Sequence, residues 1–502
     1  MHRRVYHNLR PGRSFVRAGD GKRDSFRFKG AGYDGPSQWL SDELELRIAF
    51  RFLAQSAVDS PMHTSLASPV TSELPLALSL PVSALKPVFT PREPQSLAES
   101  GLMLAEVEAL VLKLMLHQGA LTGRQIAQHV RLPYNVTFEV LRGLKAQMLL
   151  AYKASAPMGD FEHELTETGT QRAQRWMKRC TFYGAAPVPL REYVESVQRQ
   201  TVRNARPRLA SVINAFADLS LRESVISQIG QAITAGRALF LYGSPGNGKT
   251  SIAERVIRAV GDTIWIPRTI TVGGEIIRLY DPSNHQEVPL DKHATGASVD
   301  LRWIRIKRPT VVVGGELTLE QLDMSVDKVS GILEAPLQMK SNCGALVIDD
   351  FGRQRVSPID LLNRWIVPLE KGFDFQSLPA GRQVQVPFDQ LLVFATNLAP
   401  RELVDEAFLR RIPYKVEVLD PNEAEFRGLL ERMARELNIA CENGVIDYVI
   451  ETHYQFPQRA FRYCHARDLL QQVKHFCDFH ERPAELTRKT ADAAAHNYFA
   501  GL

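Results

Sequence analysis

The sequence predicts an α/β fold in which a doubly wound, parallel sheet carries a glycine-rich loop. A helical lid domain is expected after this core, with a winged-helix domain and a disordered tail before it. Short apolar runs alternate with helical patterns, which is the order of β-α-β units in a parallel sheet. The strand candidates are Ala238–Tyr242, Ile264–Ile266, Ala345–Ile348, Leu391–Ala395 and Tyr414–Val418. The first of them runs directly into the glycine-rich loop Gly243–Thr250, and a helical pattern follows.

The composition is that of an ordinary soluble globular chain. Its 502 residues are 44% hydrophobic and 23% charged, a length that suits two to four domains. No run of 18 or more apolar residues occurs, so a membrane span is not expected. The five cysteines are an odd number without a disulfide framework, which favours a reducing, cytoplasmic location. Most of the formal net charge of +5 falls in residues 1–61, so it does not indicate a basic groove.

The first 98 residues show little sustained periodicity. They are rich in Arg, Gly and Ser at first, and then in Pro, Ser, Leu and Ala. We therefore expect residues 1–98 to be a disordered or loosely attached tail. Met62 offers an alternative start, so it stays open whether residues 1–61 belong to the natural protein.

Residues 99–180 have the element order of a winged-helix domain. After a first amphipathic helix, Thr122 and Gln125 form a capping box for a second one, and Asn135 can cap a third. Two strands, at 149–153 and 161–165, then surround a polar loop. Three helices followed by a hairpin are typical of the winged helix.

The predicted winged helix lacks a clear basic stripe. Its third helix offers Arg142 and Lys145 but also Glu139, and the hairpin carries Glu162 and Glu164. A domain that reads duplex DNA normally concentrates Lys and Arg on one face. Contact with protein, or a structural role, is therefore favoured over DNA binding.

The remaining chain divides into a polar linker, an α/β core and a lid. Their predicted bounds are 181–215, 216–418 and 419–502. About 99 residues separate Thr250 from Asp349, more than a helix–strand–helix crossover needs. Inside this stretch, the Gly-Gly pair of Val272–Ile276 predicts a hairpin turn, and Val313–Leu317 is similar in sequence.

The loop Gly243–Thr250 reads GSPGNGKT and matches the P-loop pattern G-x-x-x-x-G-K-T in the required context, between a strand and a helix. The glycines let backbone N–H groups wrap phosphates at a helix N-terminus. Lys249 is predicted to reach the β- and γ-phosphates of ATP, and Thr250 to ligate Mg²⁺. The predicted nucleotide-binding residues are Gly243, Ser244, Pro245, Gly246, Asn247, Gly248, Lys249, Thr250 and Ser251.

Ala345–Asp350 is an apolar strand that ends in two carboxylates. Asp349, at the strand end, is predicted to hold Mg²⁺ through its water ligands. An ordinary acidic turn is the alternative, and the preceding P-loop disfavours it. We therefore expect the glycine loop and the paired aspartates to lie side by side at one edge of the sheet.

Five motifs, in this order, resemble those of the AAA+ superfamily of P-loop ATPases. They are GSPGNGKT, ALVIDDFGRQ, LLVFATN, EAFLRRIP and HARDLL, and they span about residues 215–480. The stretch EAPLQMKSNCGALVIDDFGRQRVSPIDLLNRWIVPLEK is similar to the bacterial group described as predicted ATPases with chaperone activity, on the MoxR and magnesium-chelatase side. GFDFQSLPAGRQVQVPFDQ resembles the extra hairpin of that side, and LTGRQIAQHVRLPYNV with LTETG resembles the group's N-terminal part.

The resemblance implies roles for further residues. Asp350 stands where most AAA+ proteins have the Glu that polarises the attacking water, and its shorter side chain predicts slower hydrolysis or a different water path. Asn397 corresponds to sensor 1, oriented toward the γ-phosphate. Arg411, or as second choice Arg410, corresponds to the arginine finger that enters the neighbouring subunit's site. Arg467 corresponds to sensor 2 in the lid.

Each of these residues also has a plainer interpretation. Thr-Asn after a strand is commonly a turn, cations at a helix C-terminus offset the helix dipole, and an arginine in a first helical turn is often solvated. A group of Cys and His side chains in the lid matches no zinc-site spacing, so no metal site is predicted there. Its members are Cys464, His465, His475, Cys477 and His480.

Together, these features imply an ATPase that binds and hydrolyses Mg-ATP as a homo-oligomeric ring, usually a hexamer, and remodels a protein client in a chaperone-like way. The client is not identified. Val313–Leu317 or the hairpin tip Pro379–Arg382 is a candidate for the centre of the ring. Two alternatives stay open: a DNA-associated regulator or loader that grips through the winged helix, and a nucleotide-gated scaffold with very slow turnover.

Overall fold

The computed structural model describes residues 89–290, 298–379 and 381–500. Most of the predicted tail, with Met62, therefore lies outside the described residues. Its last part, 89–98, contacts the folded chain: the Phe89 ring packs on Trp303 with 5.4 Å between centroids, and the Asp300 N–H donates to the Pro91 carbonyl at 3.2 Å. No helix in the described part is both long and apolar enough to cross a membrane.

The described residues combine helices and strands throughout. The α-helices are α1 (Leu104–Gln118), α2 (Gly123–Val130), α3 (Tyr134–Ala146), α4 (Glu167–Met177), α5 (Leu190–Gln200), α6 (Leu209–Ala215), α7 (Glu223–Ala235), α8 (Lys249–Arg255), α9 (Leu337–Lys340), α10 (Pro358–Lys371), α11 (Pro400–Leu403), α12 (Glu406–Arg411), α13 (Glu423–Glu436), α14 (Val445–Ile450), α15 (Tyr463–Phe479) and α16 (Arg488–Phe499). The strands are β1 (Leu121–Thr122), β2 (Leu150–Ala156), β3 (Asp160–Leu165), β4 (Val188–Pro189), β5 (Leu239–Tyr242), β6 (Thr263–Pro267), β7 (Thr269–Val272), β8 (Glu275–Arg278), β9 (Trp303–Lys307), β10 (Thr310–Val313), β11 (Ser325–Asp327), β12 (Ile332–Glu334), β13 (Ala345–Ile348), β14 (Phe373–Ser377), β15 (Gln383–Pro387), β16 (Leu391–Thr396), β17 (Tyr414–Glu417), β18 (Ala440–Cys441) and β19 (Glu485–Leu486).

A five-stranded sheet forms the centre of the α/β core. Its strand order is β10-β13-β16-β5-β17, and all neighbours are parallel. Both faces are covered, as a parallel sheet requires. Leu239 and Leu241 of β5 pack with α7 and α8 on one face, whereas Phe240 between them packs with Trp365 of α10 on the other. The predicted mixed α/β architecture with a parallel sheet is therefore confirmed.

Four of the five predicted strands lie in this sheet. Ile264–Ile266 is a buried strand as predicted, but its expected place in the parallel sheet is wrong. That segment belongs to β6, which pairs antiparallel with β9 in a separate two-stranded sheet. The missing parallel strand is β10, and the Asp349 N–H donates to the carbonyl of its last residue, Val313, at 2.8 Å. Both segments are short apolar runs, which periodicity alone does not assign to one sheet or another.

The long stretch between the glycine loop and β13 builds a second sheet, with the order β11-β12-β8-β7-β4. Strands β7 and β8 form the predicted hairpin, and Gly273 and Gly274 at its turn have φ of 61° and 85°. Strand β4 comes from 181–215, which the sequence predicts as a linker. That segment also contains α5, whose Tyr193 is buried in the core of this second sheet, so it is folded structure.

Residues 99–180 contain α1 to α3, an antiparallel sheet of order β1-β3-β2, and α4. The predicted capping box is present: Thr122 and Gln125 exchange backbone-to-side-chain hydrogen bonds of 2.8 and 3.2 Å. The expected Asn135 cap is wrong, because α3 starts at Tyr134 directly after Pro133. The Asn135 side chain donates instead to the Gln95 carbonyl, at 3.0 Å.

An antiparallel hairpin of β14 and β15 lies between α10 and β16, over the segment where the sequence predicted one. Its base is fixed by a buried carboxylate. Asp374 accepts hydrogen bonds from Arg364 Nη1 at 2.6 Å and from Gln338 Nε2 at 2.9 Å. The hairpin is therefore fastened to both α9 and α10.

Helices α13 to α16 form the C-terminal domain around a core that includes Phe426, Leu470 and Phe499. The prediction of helices alone misses a parallel pair of two-residue strands, β18 and β19. Strands of this length leave no periodic signal in a sequence. Arg222, at the start of α7, joins this domain to the core through Glu425 of α13, with an Nη2–Oε2 distance of 2.8 Å.

Candidate functional site

The glycine loop joins β5 to α8 at the carboxyl edge of the parallel sheet. Gly243, Gly246 and Gly248 have φ of 136°, 82° and 77°, a region that side-chain-bearing residues rarely adopt. A Cβ on Gly243 would lie 2.5 Å from the Val418 carbonyl oxygen, and one on Gly246 would lie 2.5 Å from Cys464 Sγ. Glycine at these two positions is therefore required by both conformation and space.

Two loop residues lie away from the centre of the site. Pro245 is exposed at the tip of the loop. Ser251 lies in the first turns of α8, where its carbonyl accepts a hydrogen bond from Arg255 Nη1 at 2.7 Å. Neither side chain has a hydrogen bond with the predicted site residues in the described chain.

The Lys249 ammonium lies inside the loop and is nearly buried. It donates to the carbonyls of Gly243 at 3.1 Å and Ser244 at 2.9 Å, and to Asn397 Oδ1 at 2.6 Å. Burial lowers the pKa of Lys249, and the charges of Asp350 and Asp349 oppose that shift. The loop therefore holds a cation whose partners are neutral oxygens, so an anion entering the loop would meet an incompletely compensated charge.

The C-terminal end of β13 lies against the first turn of α8. Thr250 Oγ1 lies 3.0 Å from Asp349 Oδ1 and 2.9 Å from Oδ2. The Asp349 carbonyl accepts from Gln354 Nε2 at 2.7 Å, which fixes the chain after the strand. A hydroxyl and a carboxylate are the oxygen ligands that Mg²⁺ prefers. The expected juxtaposition of the glycine loop and the aspartates is thus present.

Asp350 and Asn397 extend this cluster. Asp350 is exposed and has a left-handed backbone conformation, φ 49°, which turns its side chain away from the strand direction. Asn397 Nδ2 donates to Asp350 Oδ1 at 3.2 Å, while Asn397 Oδ1 accepts from Lys249. The Asn397 amide therefore bridges the loop cation and the second carboxylate, which fixes its orientation.

Five residues link the glycine loop to the C-terminal helical domain. The sequence placed Gly246 and Asn247 in the nucleotide-binding loop without a linking role, and it missed the part played by Asp420, Arg462 and Cys464. Asn247 Nδ2 donates to Asp420 Oδ1 at 2.7 Å, and Asp420 in turn is paired with Arg462. The Cys464 N–H donates to the Gly246 carbonyl at 2.9 Å. Asp420 follows the end of β17, so its position at the carboxyl edge of the sheet was a signal that could have revealed it.

The two arginines of α12 differ in their contacts. Arg411 is tied to its own chain, since its Nε donates to Glu370 Oε1 at 2.8 Å and its Nη1 to the Ala407 carbonyl at 3.1 Å. Arg410 is exposed and forms no hydrogen bond or ion pair with any described residue. Arg410 is therefore the one whose guanidinium is available to another molecule.

Arg467 lies in the second turn of α15 with an exposed side chain. It has no hydrogen bond or ion pair within the described ranges. The residues of this helix start that approach the glycine loop are Arg462 and Cys464. The structure thus brings the start of α15 to the loop without bringing the Arg467 side chain into contact with it.

Comparisons with known proteins give one family match and several distant structural similarities. Residues 422–497 match a family model described as "Domain of unknown function (DUF8689)". This stretch is the C-terminal helical domain alone. It contains Arg462 and Arg467, whereas the glycine loop, the aspartates, Asn397 and α12 lie outside it.

Two solved structures illustrate the structural similarities. A mutant of RuvB from Thermotoga maritima is 12% identical over 56% of this chain and 72% of its own, with a TM-score of 0.34. NtrX from Brucella abortus in complex with ATP is 13% identical over 56% of this chain and 58% of its own, with a TM-score of 0.35. The match thus spans little more than half of the NtrX chain.

Proposed function

We propose that this protein is a magnesium-dependent ATPase of the AAA+ type. The observation that carries the proposal is the cluster at the carboxyl edge of the parallel sheet, where Thr250 contacts Asp349 and Asn397 bridges Lys249 to Asp350. P-loop NTPases use a loop lysine, a loop hydroxyl and a strand-end aspartate in this arrangement. The strand order of the sheet, with the loop strand flanked by β16 and β17, supports the same assignment.

The residues present fit a magnesium nucleotide. Positive φ at Gly246 and Gly248 opens the loop before the N-terminus of α8, where backbone N–H groups favour phosphate. Thr250 Oγ1 and the Asp349 carboxylate would hold Mg²⁺ directly or through water. When bound, the metal neutralises charge on the β- and γ-phosphate oxygens.

The protein groups have separable roles in this proposal. Lys249 exchanges its carbonyl partners for phosphate oxygens and compensates their charge. Asp350 orients the attacking water and accepts its proton, and Asn397 holds Asp350 and the water in place. Because Asp is one methylene shorter than Glu, we expect slow turnover, which keeps the nucleotide-gated scaffold as the alternative function.

We further infer that the active form is a ring of identical subunits, with a hexamer as the usual number. Arg410, which is exposed and has no partner among the described residues, supports an arginine finger supplied to a neighbouring site. It replaces Arg411 as the preferred residue because Arg411 is held by Glu370. The hydrogen bond from the Cys464 N–H to the Gly246 carbonyl connects the lid to the glycine loop. We therefore propose that the lid moves in response to the nucleotide, with Arg467 as the residue that would complete the closed site.

The proposed work is chaperone-like remodelling of a protein client, on the MoxR and magnesium-chelatase side of the superfamily. The hairpin of β14 and β15 supports this assignment, since the sequence resemblance predicted it at that position. All five cysteines are free thiols, which supports a reducing compartment such as the cytoplasm.

The order of α1 to α3 and the three-stranded sheet supports a winged-helix assignment for residues 99–180. Recognition helices of this class read bases mainly with their N-terminal residues. Here Asn135, in the first turn of α3, is bonded to the Gln95 carbonyl, and Tyr134 is bonded to Asp160. These contacts favour protein contact over the alternative of a DNA-associated regulator or loader.

The test is steady-state ATP hydrolysis by the full chain with Mg²⁺, compared with Lys249→Ala. We expect measurable turnover that requires Mg²⁺ and is absent from Lys249→Ala, because the charge that binds the phosphates is lost. Hydrolysis that persists at the wild-type rate in Lys249→Ala would remove the glycine loop from the reaction.

A further inference from the structure

A pocket that shares no residue with the glycine loop lies between α2 and the strand connection that precedes β7. Its volume is about 430 Å³, and the backbone at 184–185 closes one side. The side chains that line it are Gln125, Gln128, His129, Arg131 and Arg268. No Asp or Glu is among the lining residues that the structure describes, so the wall carries positive charge and amide donors without a carboxylate.

The two guanidiniums of this pocket are poorly compensated. Arg131 is exposed and forms neither a hydrogen bond nor an ion pair with a described residue. Arg268 pairs with Glu287 at an Nη2–Oε1 distance of 3.9 Å, and its buried Nε has no hydrogen-bond partner among the described residues. An unsatisfied buried donor is costly unless a ligand supplies the acceptor.

The walls of the pocket are held in place. The Arg268 N–H donates to the Arg302 carbonyl at 3.0 Å, and its own carbonyl accepts from the Leu279 and Tyr280 N–H groups. On the opposite wall, the Ala186 N–H donates to the Val130 carbonyl at 2.7 Å, directly before Arg131. Arg131 of residues 99–180 and Arg268, next to the second sheet of the core, therefore line the same pocket without further rearrangement.

The local electrostatics suit an anion despite the position at the end of a helix. Arg131 is the C-cap of α2 in a left-handed conformation, and α2 carbonyls at this end are taken by backbone N–H groups, among them Leu132 to Ala127. The pKa of Arg268 is lowered by burial first and by the charge of Arg131 next. The two cations thus repel each other. An oxyanion bound between them would attract both guanidiniums and offset that repulsion.

We propose that this pocket binds a small, multiply charged oxyanion, carried by a phosphate-bearing or a carboxylate-bearing molecule, at a site independent of the glycine loop. Arg131 and Arg268 would bind it from two domains, and the amides of Gln125 and Gln128 would complete the contacts. Occupancy of the site would join residues 99–180 to the second sheet of the core. A volume of this size accommodates a small metabolite rather than a polymer.

The experiment is isothermal titration of the full chain at low ionic strength, with inorganic phosphate in one arm and citrate in the other. The variants are Arg131→Asn, Arg268→Gln and Lys249→Ala, with Arg142→Gln as the control for loss of an exposed arginine. Asn suits the left-handed conformation of position 131, so the first variant removes the charge with little strain.

Because the glycine loop is itself a phosphate site in this account, the second site is measured in the Lys249→Ala background. There we expect one site whose dissociation constant rises about tenfold or more when Arg131→Asn or Arg268→Gln is added, and stays unchanged when Arg142→Gln is added. The arm that binds more tightly identifies the class of the natural ligand. The proposal is overturned if neither anion binds the Lys249→Ala variant at millimolar concentration, or if adding Arg131→Asn to that variant leaves binding unchanged.

Discussion

The Thr250 hydroxyl lies 2.9 Å from Asp349 Oδ2, although 99 residues separate the two in the chain. This contact joins the first turn of α8, the helix that follows β5, to the end of β13. Strands β5 and β13 belong to the same parallel sheet. It brings a hydroxyl and a carboxylate to the point where a magnesium nucleotide would be held. The proposed chemistry and most of the tests below depend on this juxtaposition.

The second carboxylate should govern turnover rather than binding. Asp350→Asn keeps the shape of the side chain but loses its capacity to accept a proton, so we expect hydrolysis to fall by about 10² to 10⁴-fold. The affinity for Mg-ATP should change little. Asp350→Glu, which restores the residue common in AAA+ proteins, should hydrolyse at least as fast as the wild type. An unchanged rate in Asp350→Asn would exclude Asp350 from the reaction.

The exposed arginine of α12 should act between subunits. In mixtures of Arg410→Ala with wild type, we expect ATPase activity to fall more steeply than the fraction of wild-type chains, since a finger acts on the neighbour's nucleotide. Arg411→Ala is the matched control, because Arg411 is bonded to Glu370 in its own chain. A strictly proportional loss in the Arg410→Ala mixtures would contradict action in trans.

The contact between the glycine loop and the C-terminal domain should tune nucleotide affinity. Gly246→Ala introduces a Cβ 2.5 Å from Cys464 Sγ at φ 82°, so we expect the dissociation constant for ATP to rise about tenfold or more. Adding Cys464→Ala removes the clash but not the backbone strain, and should restore affinity in part. Gly428→Ala, with nothing within 4 Å of the added Cβ, should be neutral. Additive effects of Gly246→Ala and Cys464→Ala would contradict the contact.

The C-terminal domain should lose stability in mild acid through His465. Burial lowers the pKa of His465 from 6.5 to about 4, and the charge of Arg462 adds to this shift. The folded state therefore holds the imidazole neutral between these values while the unfolded state binds a proton. Stability is full above pH 6.5 and falls toward pH 4, by about 1.4 kcal/mol per unit at the steepest. Urea unfolding of His465→Gln should show a shallower dependence over this range, and an equal slope would contradict the assignment.

The sequence predicted the parts of the site that are contiguous in the chain. The motif from Gly243 to Thr250 dictates its own loop conformation, and Asp349 follows an unmistakable buried strand. It was harder to predict which strands pair with each other, because that depends on the tertiary structure. Periodicity could not tell β6 from β10, since both are short apolar runs, and only the pairing of β10 with β13 distinguishes them.

The sequence also did not predict which side chains that are distant in the chain contact each other. Arg410 and Arg411 are adjacent and chemically equal, and only the position of Glu370 on α10 separates their roles. Motif similarity pointed to Arg467 within HARDLL, and Arg462 lies outside that motif. The distance to Asp420 depends instead on how the C-terminal domain packs against the loop.

Titration of a non-hydrolysable ATP analogue into the full chain, with and without Mg²⁺, tests the central assignment most directly. We predict tight binding by the wild type that weakens without Mg²⁺, weaker binding with loss of this Mg²⁺ effect in Asp349→Asn, and no binding by Lys249→Ala. Equal affinity of the wild type and Lys249→Ala, or of the wild type with and without the metal, would contradict the proposed site.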